Sequence, residues 1–286
     1  MGLYGSARQI LCRYGLEPRR ELGQHFLVDE AALARIVAAA ELTLKDAVLE
    51  VGAGVGNLTR LLSEAAARVV AVEIDRRFLP VLEAELADRP NVRLVAGDIL
   101  ALDPADLMGE GPYQVVANLP YAITSAVLRH LLEARVPPQR MVVTVQKEVA
   151  ERIIARGGRM SLLAVSVQFY GRPRLLFRLR PGAFYPPPEV DSAVLRIDRH
   201  PQPPVEGVDV EAFFRVVRAG FSHPRKQLSN SLAAGLGISP EMAADALRAA
   251  SIDPRTRAER LSLEDWARLT RVLWLSSPGK CSSCYR

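Results

Sequence analysis

The feature that most limits how this chain can fold is a series of apolar runs, rich in β-branched residues, that recur between segments long enough to be helices. These runs are AVLEVG (47–52), RVVAVEI (68–74), VRLVAG (92–97), YQVVAN (113–118), MVVTVQ (141–146), LAVSVQFY (163–170) and AVLRID (193–198). Strands with so few polar residues are typical of a mostly parallel sheet whose two faces are both covered by helices. The sequence therefore predicts a Rossmann-like, doubly wound α/β domain.

This pattern ends at HPQPPVEGV (200–208), where proline and polar residues predict a linker. Four segments with helical periodicity follow it, at 211–221, 226–236, 239–250 and 262–275. Ser239 is a suitable N-cap, and Ser262 with Asp265 resembles a capping box. We therefore expect an α/β domain, a small all-helical domain and a flexible tail, at 1–200, 209–275 and 276–286.

Composition excludes several classes of protein. Arg, Glu or Asp interrupts the longest apolar stretches before the roughly 20 residues that a membrane span needs, and the N-terminal segment has no pattern of a secretory signal. We therefore expect a cytoplasmic protein with no membrane partner. Two of the three cysteines, Cys281 and Cys284, lie in the tail. No second Cys or His pair accompanies them, so a solvated tail is favoured over half a metal site, and we expect no bound metal.

Positive charge is concentrated in one part of the sequence. The formal net charge is +5, but residues 135–180 alone contain ten Lys/Arg and only two Asp/Glu. Such a concentration indicates a polyanionic partner, with Arg156 and Arg159 as candidate phosphate contacts. Charge alone leaves open the alternative of a basic, solvated surface.

Three glycines follow the first predicted strand, where a helix is expected to begin. Glycine at Gly52, Gly54 and Gly56 allows positive φ and close approach of the backbone to a ligand, and the helix presents free N–H groups. The turn therefore predicts a ligand site. A dinucleotide site is an equally good interpretation of such a turn taken alone.

Three acidic residues narrow the choice of ligand. Glu50 precedes the glycines on the first strand. Glu73 ends the second strand, where it can accept hydrogen bonds from two ribose hydroxyls, and Asp98 ends the third, where it can reach an adenine amino group. The glycine spacing is GxGxG rather than GxGxxG, which suits a ligand without a pyrophosphate. Together these features favour S-adenosylmethionine over a nicotinamide dinucleotide.

The fourth strand ends in NLPY, which is Asn118, Leu119, Pro120 and Tyr121. An exocyclic adenine amine is a poor nucleophile because its lone pair is delocalised into the ring. A carboxamide oxygen and backbone carbonyls that accept its N–H groups would localise that lone pair, and an aromatic ring can hold the base by stacking. A strand-ending turn with Asn and Pro in ordinary roles is the alternative for these four residues alone.

With these pieces in place, the sequence resembles the rRNA adenine N6,N6-dimethyltransferase family over nearly its whole length. The matching segments, in order, are LGQHFL (22–27), EVGAGVGNLT (50–59), VEID (72–75), GDIL (97–100), NLPY (118–121), VQKEVAERI (145–153), FYPPPEVDSAV (184–194), RKQLSNSL (225–232) and DPRTRAERLS (253–262). The resemblance implies a catalytic methyltransferase domain with NLPY at the reaction site and target-base stacking by Tyr121 and Phe184. It also implies cofactor contacts at His25, Leu27, Gly52, Glu73, Asp98 and Asn118.

The resemblance further implies the substrate. The C-terminal motifs and the linker favour enzymes of small-subunit rRNA over relatives that methylate 23S rRNA. The family adds two methyl groups to each of two adjacent adenosines near the 3′ end of 16S rRNA, late in subunit maturation. We therefore expect the immature 30S subunit as partner, RNA contacts at Arg225 and Lys226 in the helical domain, and a monomeric enzyme.

Two positions depart from the family pattern. His25 replaces the Asn of GQNFL, so that a ring nitrogen could replace an amide contact, and the charge of a histidine can change near neutral pH. A contact through the backbone of His25 is equally compatible with the pattern. Pro224 stands where the family has the first Arg of an RRK run, which removes one phosphate contact.

Aromatic residues receive two different interpretations. Phe184 precedes three consecutive prolines, whose stiffness could fix its ring over a pocket. By contrast, helical spacing predicts core positions for Phe213, Phe214, Trp266 and Trp274.

Two other functions compete with the methyltransferase. A non-catalytic nucleic-acid-binding factor on the same fold is disfavoured by the intact Glu73, Asp98 and NLPY. A nicotinamide-dependent oxidoreductase is disfavoured by the glycine spacing.

Overall fold

A computed structural model describes residues 7–202 and 204–275. The strands are β1 (Phe26–Leu27), β2 (Ala47–Val51), β3 (Arg68–Glu73), β4 (Val92–Ala96), β5 (Gln114–Asn118), β6 (Arg140–Gln146), β7 (Gly171–Leu179), β8 (Phe184–Tyr185) and β9 (Ser192–Arg199). The α-helices are α1 (Ala7–Arg13), α2 (Glu30–Ala40), α3 (Asn57–Ala65), α4 (Leu79–Glu85), α5 (Pro104–Met108), α6 (Thr124–Leu132), α7 (Lys147–Ile153), α8 (Leu162–Tyr170), α9 (Val210–Phe221), α10 (Leu228–Leu236), α11 (Pro240–Ala249) and α12 (Leu263–Leu275). The predicted tail with Cys281 and Cys284 lies outside the described residues.

The described chain forms two compact units. The α/β unit comprises the residues up to Glu151 together with Gly171–Arg199, and the helical unit comprises Arg152–Tyr170 together with the residues from His200 onward. The boundary therefore differs from the predicted division at residue 200, because a segment from the middle of the sequence packs with the C-terminal helices. The predicted linker also belongs to the helical unit, and its Val205 is buried there.

The α/β unit is built on a sheet whose described strands run in the order β4-β3-β2-β5-β6-β9-β7. The first five are parallel, and β9 and β7 are antiparallel to their neighbours. Consecutive residues such as Val115 and Val116 are both fully buried, which shows that helices or loops cover both faces. The predicted α/β fold with a mostly parallel sheet is confirmed.

The run at 163–170 was predicted to be a strand, and this prediction is wrong: it lies in helix α8. The run is apolar throughout, so its periodicity cannot distinguish a buried strand from a buried helix. Ser161 determines the outcome locally, because its side chain accepts a hydrogen bond from the backbone N–H of Ala164 and starts the helix.

The strand that follows, β7, was not predicted. It contains Pro173 and three arginines, residues that are uncommon in central strands, and it lies at the edge of the sheet, where proline and charge are tolerated. It pairs with β9 through a register shift between Leu175 and Phe177.

A small two-stranded sheet joins distant parts of the α/β unit. Strand β1 pairs with β8, so that Phe26 lies opposite Tyr185 and Leu27 opposite Phe184. The backbone N–H of Val28 also donates to the carbonyl of Ala183. The segment LGQHFL (22–27) is thereby held against the proline-rich segment FYPPP (184–188), although about 160 residues separate the two in the sequence.

The helical unit has a core of its own. The predicted cap at Ser239 is present, since its side chain accepts from the N–H of Met242, and Ser262 with Asp265 forms the predicted capping box. Phe213 and Trp266 are fully buried, as predicted. The prediction for Trp274 is wrong, because its side chain is 46% exposed. In the described part of the chain, no helix is long and apolar enough to span a membrane.

Candidate active site

The site lies where the strand order of the sheet reverses. From β2 the chain moves outward to β3 and β4, and then returns to β5 on the other side of β2. The carboxyl ends of parallel strands on either side of such a reversal form a crevice in which α/β proteins bind ligands. Here a cleft is lined by residues from four segments, 22–26, 52–54, 73–74 and 118–120, namely Leu22, Gly23, Gln24, His25, Phe26, Gly52, Gly54, Glu73, Ile74, Asn118, Leu119 and Pro120.

The glycine turn after β2 forms one wall of this cleft. Gly52, Gly54 and Gly56 have φ values of 79°, 56° and 87°, a region that residues with a Cβ rarely adopt. A Cβ at Gly54 would lie 2.9 Å from the ring of Phe26, so the turn also leaves no room for a side chain. The positive φ values expected at these three glycines are present, and Gly52 and Gly54 line the cleft.

Glu73 is held rigidly at the end of β3. Its Oε2 accepts a 2.7 Å hydrogen bond from the N–H of Gly54, and its Oε1 accepts one of 2.8 Å from the N–H of Asp75. The side chain is buried, and this burial raises the pKa of the carboxyl, against the effect of the two backbone hydrogen bonds. Each oxygen retains a lone pair for a further donor.

A second buried carboxyl lies beside the first. Glu50 lines an adjoining cleft that shares Gly52, Gly54 and Asn118 with the main one. Its side chain is 1% exposed, and burial raises its pKa to about 8, with a smaller contribution from the charge of Glu73. Its Oε2 has no hydrogen-bond partner within the described residues. Such an oxygen is suited to a cationic ligand group, since a nearby positive charge favours the ionised carboxylate.

Asn118 ends β5 and lines both the main cleft and the adjoining one. Its Nδ2 donates a 2.8 Å hydrogen bond to the backbone carbonyl of His25. This contact fixes the orientation of the carboxamide, because only the nitrogen end can donate to a carbonyl. The Oδ1 therefore remains as an acceptor for another group.

The ring of Tyr121 lies against that of His25. Their centroids are 5.7 Å apart and their planes differ by 23°. The Nδ1 of His25 donates to the carbonyl of Pro186 at 2.8 Å, and the Tyr121 hydroxyl lies 2.6 Å from the Oγ of Ser192. The two rings are thus held by the proline-rich segment and by β9.

The backbone carbonyls of Pro120 and Leu119 in NLPY differ in whether they can accept a hydrogen bond from a ligand. The carbonyl of Pro120 accepts from the Thr124 hydroxyl and from the N–H of Ile123, so it is committed to the turn that follows. No hydrogen bond to the carbonyl of Leu119 is recorded among the described residues. The side chain of Leu119 is buried, and the residue contributes to the lining of the cleft.

Four residues predicted for the cofactor or the base do not line the main cleft, and one of them, Tyr121, packs against His25 as described above. Leu27 is buried and lines only the adjoining cleft. Asp98 is exposed, does not line either cleft, and caps a short turn by accepting from the N–H of Leu100. Phe184 is 3% exposed and packs in the core of the α/β unit beside Leu27. In this arrangement the ring of Phe184 has no face available to a base, so the structure does not provide the predicted stacking.

Sequence reasoning assigned no role to five residues that line the cleft, which are Leu22, Gly23, Gln24, Phe26 and Ile74. Ile74 follows Glu73, lines the cleft and is 50% exposed, which offers an apolar surface to a ligand. Gln24 donates to the carboxylate of Asp75, which also binds Arg77, and this hydrogen bonding lowers the pKa of Asp75 to about 2. Gln24 and Ile74 both lie in segments that match the family pattern, but the sequence did not indicate what their side chains do.

The basic residues predicted from the run 135–180 divide between the two units. In the α/β unit, several are paired with acids: Arg135 with Glu110, Arg140 and Arg174 with Asp198, and Arg178 with Glu151. Arg156 and Arg159 belong to the helical unit and are exposed. The run therefore contains arginines that are paired with acids and others that are exposed.

Within the helical unit, backbone contacts gather basic segments that are far apart in the sequence. The N–H of Leu228 donates to the carbonyl of Thr256, which brings the loop with Arg225 and Lys226 against the loop 253–257. That loop carries two more exposed arginines, Arg255 and Arg257. The N–H of Met160 donates to the carbonyl of Glu259, which brings the loop with Arg156 and Arg159 to the same segment.

The described residues contain no cluster of metal-ligating side chains.

The chain is similar to known proteins over nearly its whole length. The family model for ribosomal RNA adenine dimethylase matches residues 15–274. A ribosomal RNA small subunit methyltransferase A from Dehalococcoides mccartyi is 48% identical over 268 residues, which cover 93% of this chain and 92% of that protein. The crystal structure of the 23S rRNA methyltransferase ErmE matches with a TM-score of 0.69 and 31% identity, and covers 87% of this chain and 99% of that chain.

A dimethyladenosine transferase from Plasmodium falciparum shares the fold, with a TM-score of 0.72 and 24% identity over 86% of this chain and 96% of that chain. The family match spans nearly all of the described residues and includes both units. The chain therefore belongs to the ribosomal RNA adenine dimethylase family of methyltransferases.

Proposed function

We propose that this protein transfers methyl groups from S-adenosylmethionine to the N6 atoms of two adjacent adenosines near the 3′ end of 16S rRNA, two to each base. The choice of the small subunit is supported by identity: a relative named for small-subunit rRNA is 48% identical, whereas the solved 23S rRNA methyltransferase is 31% identical. Membership in this family also removes the nicotinamide-dependent oxidoreductase from consideration.

The proposed cofactor site comprises His25, Leu27, Gly52, Glu73, Asp98 and Asn118. S-adenosylmethionine supplies a methyl group made electrophilic by its sulfonium. The backbone at Gly52 and Gly54 can approach it closely, Glu73 can accept from its ribose hydroxyls, and the unpartnered Oε2 of Glu50 suits its positive charge. Asp98 reaches the adenine only if it turns from its present capping contact.

The proposed chemistry depends on Asn118. Its Oδ1 and the carbonyl of Leu119 accept the two N–H groups of the adenine amine, which localises the nitrogen lone pair toward the methyl carbon. With the cofactor bound, the amine would attack that carbon as the carbon–sulfur bond breaks, S-adenosylhomocysteine would leave, and the proton that the nitrogen then carries in excess would pass to water. Tyr121 holds the base by stacking, while Pro120 shapes the turn.

The proposed RNA contacts lie on the helical unit. Arg156, Arg159, Arg225 and Lys226 are the residues predicted from the sequence, and Arg255 and Arg257 join them through the backbone contacts of the loop 253–257. Exposed guanidinium and ammonium groups bind phosphates without reading bases. Specificity for the two adenosines then comes from the fold of the rRNA and from base capture in the cleft.

We further propose that the enzyme acts as a monomer on the immature 30S subunit in the cytoplasm. The part of the chain that the structure describes carries both a reaction site and a basic surface, so no second copy is needed to complete either. A non-catalytic binding factor is the weaker alternative, because it would have no use for the anchored carboxamide of Asn118.

The observation that carries the proposal is the orientation of Asn118, with Nδ2 committed to His25 and Oδ1 left as an acceptor at the crevice of the sheet. The test is mass spectrometry of rRNA in immature 30S subunits, taken from cells that lack the protein, before and after incubation with it and S-adenosylmethionine. We expect two adjacent dimethyladenosines to appear in 16S rRNA. Methylation of 23S rRNA instead, or of neither, would contradict the proposal.

A further inference from the structure

Ser192 is a buried residue to which no role has yet been assigned. It begins β9, where it lies opposite Gln146 of β6 and Leu179 of β7, so strands hold its backbone on both sides. Its side chain is fully buried. The only hydrogen bond recorded for its Oγ among the described residues joins it to the hydroxyl of Tyr121 at 2.6 Å. A fixed hydroxyl is thus directed at one residue of the reaction site.

Tyr121 is less constrained by its own segment. It begins a short 3-10 turn after Pro120, and its side chain is only partly buried. A tyrosine ring in such a position can rotate about χ1 unless other groups hold it. Two contacts do so here: the hydroxyl meets Ser192, and one ring face meets His25.

The second contact is itself anchored. His25 is tied at its ring to the carbonyl of Pro186 and at its backbone to Asn118. The imidazole therefore covers one face of the Tyr121 ring from a fixed position.

We propose that Ser192 is a positioning residue for methyl transfer: it holds the phenol of Tyr121 so that the ring, backed by His25, presents its other face to the target adenine. This inference rests on the proposed function, since it concerns capture of the base that Asn118 methylates. Burial raises the pKa of Tyr121, so the phenol stays protonated and can donate to Ser192. Phe184 is buried in the core, so Tyr121 is the ring of the predicted pair that remains for stacking on the base. The alignment of Tyr121 therefore matters more for base capture than it would if both rings took part.

A double-mutant cycle tests this role. Ser192→Ala and Tyr121→Phe each remove one end of the same hydrogen bond, and Tyr121→Phe keeps an aromatic ring for stacking. Single-turnover methylation of immature 30S subunits is measured at saturating S-adenosylmethionine over a range of subunit concentrations. Ser166→Ala, which removes another buried serine hydroxyl from the helical unit, is the matched control.

We expect each single variant to lower the methyl-transfer rate about tenfold, which corresponds to about 1.4 kcal/mol, with unchanged cofactor affinity. The double variant should be no slower than the slower single variant, because both changes remove one interaction. Ser166→Ala should retain the wild-type rate. Circular dichroism and thermal unfolding of each variant establish that the measured protein is folded.

Several outcomes separate the possibilities. If the wild-type protein methylates no adenosine in 30S subunits, the proposed function fails. If the wild type is active but Ser192→Ala matches it, or if the two effects multiply in the double variant, Ser192 has only a structural role. Should Ser192→Ala not fold, Tyr121→Phe decides alone: a wild-type rate in that variant overturns the inference.

Discussion

The Nδ2 of Asn118 donates to the backbone carbonyl of His25 over 2.8 Å, which joins the end of β5 to the segment that precedes β1. One hydrogen bond thus links two motifs that lie 93 residues apart. It also determines which end of the carboxamide is available in the cleft. His25 accepts this hydrogen bond through its backbone carbonyl, so the presence of His rather than the family's Asn at position 25 leaves the hydrogen bond intact.

This relationship gives a prediction for Asn118. Asn118→Ala should lower the single-turnover methylation rate by about a hundredfold, the usual effect of losing one preorganised polar contact to the reacting group, with RNA binding unchanged. Asn118→Asp should be no better, because a carboxylate would face the His25 carbonyl with an acceptor. An Asn118→Ala enzyme with a normal rate at saturation would reduce Asn118 to a turn former.

Glu73 gives a prediction about the cofactor. Glu73→Ala removes the acceptor proposed for the ribose hydroxyls and also frees the N–H of Gly54. Loss of a hydrogen bond to a charged group costs about 1.5 to 3 kcal/mol, so affinity for S-adenosylmethionine should fall roughly ten- to a hundredfold. Titration calorimetry measures this, with the exposed Glu83→Ala on α4 as control. Equal affinities in the two variants would remove Glu73 from the site.

Glu50 gives a prediction about pH. Burial raises its pKa from 4.5 to about 8. Between these two pH values the Glu50 carboxyl is therefore protonated in the folded protein and ionised in the unfolded chain. The free energy of unfolding should therefore fall as pH rises from about 4.5 to about 8 and level off above. Glu50→Gln removes this contribution.

The variant should exceed the wild type in stability by about 1 to 3 kcal/mol at pH 8, given 1.36 kcal/mol per unit of pKa shift and some relaxation around the charge. The difference should vanish below about pH 4.5, where both states of the wild type are protonated. Urea unfolding across this range, compared between the two proteins, measures it. A constant difference at every pH would mean that Glu50 does not change its charge as expected.

The main sheet and most of its strands could be predicted because β2 to β6 are apolar runs of strand length. The glycine turn, Glu73 and Asn118 could be placed in one site because parallel strands end at the same edge. Helix α8 could not be recognised as a helix, since an apolar run without alternation has no distinctive period.

Side-chain partners were beyond the sequence for a different reason. The orientation of Asn118 depends on a carbonyl 93 residues away, and the burial of Phe184 depends on the pairing of β1 with β8. Charge counting also failed to separate the arginines of the run 135–180 that meet acids, such as Arg174, from those that remain exposed, such as Arg156. Such contacts arise only when the chain is folded.

The basic residues of the helical unit give a prediction about salt. Neutral substitutions at Arg156, Arg159, Arg225 and Lys226 should each flatten the dependence of the logarithm of RNA affinity on the logarithm of salt concentration by about 0.7 to 0.9. Arg248→Gln is the control, because Arg248 is exposed on α11 but paired with Asp245. Filter binding to immature 30S subunits over a salt series measures the slopes. Unchanged slopes in the four variants would mean that these residues contact no phosphate.

Phe184 and Tyr121 should respond differently to truncation, although the sequence suggested one role for both. The Phe184 ring is 3% exposed and packs with Leu27 and the helix residues Leu33 and Ile36. Phe184→Ala should therefore cost about 3 to 5 kcal/mol of stability, as for other large core truncations, whereas Phe184→Leu should restore most of it. Tyr121 is partly exposed and packs against His25, so Tyr121→Ala should cost less stability than Phe184→Ala and weaken base capture by about 1 to 3 kcal/mol. Thermal unfolding and single-turnover methylation, measured on the same preparations, separate the two. If folded Phe184→Leu loses activity as severely as Tyr121→Ala, Phe184 leaves the core during the reaction and stacks on the base after all.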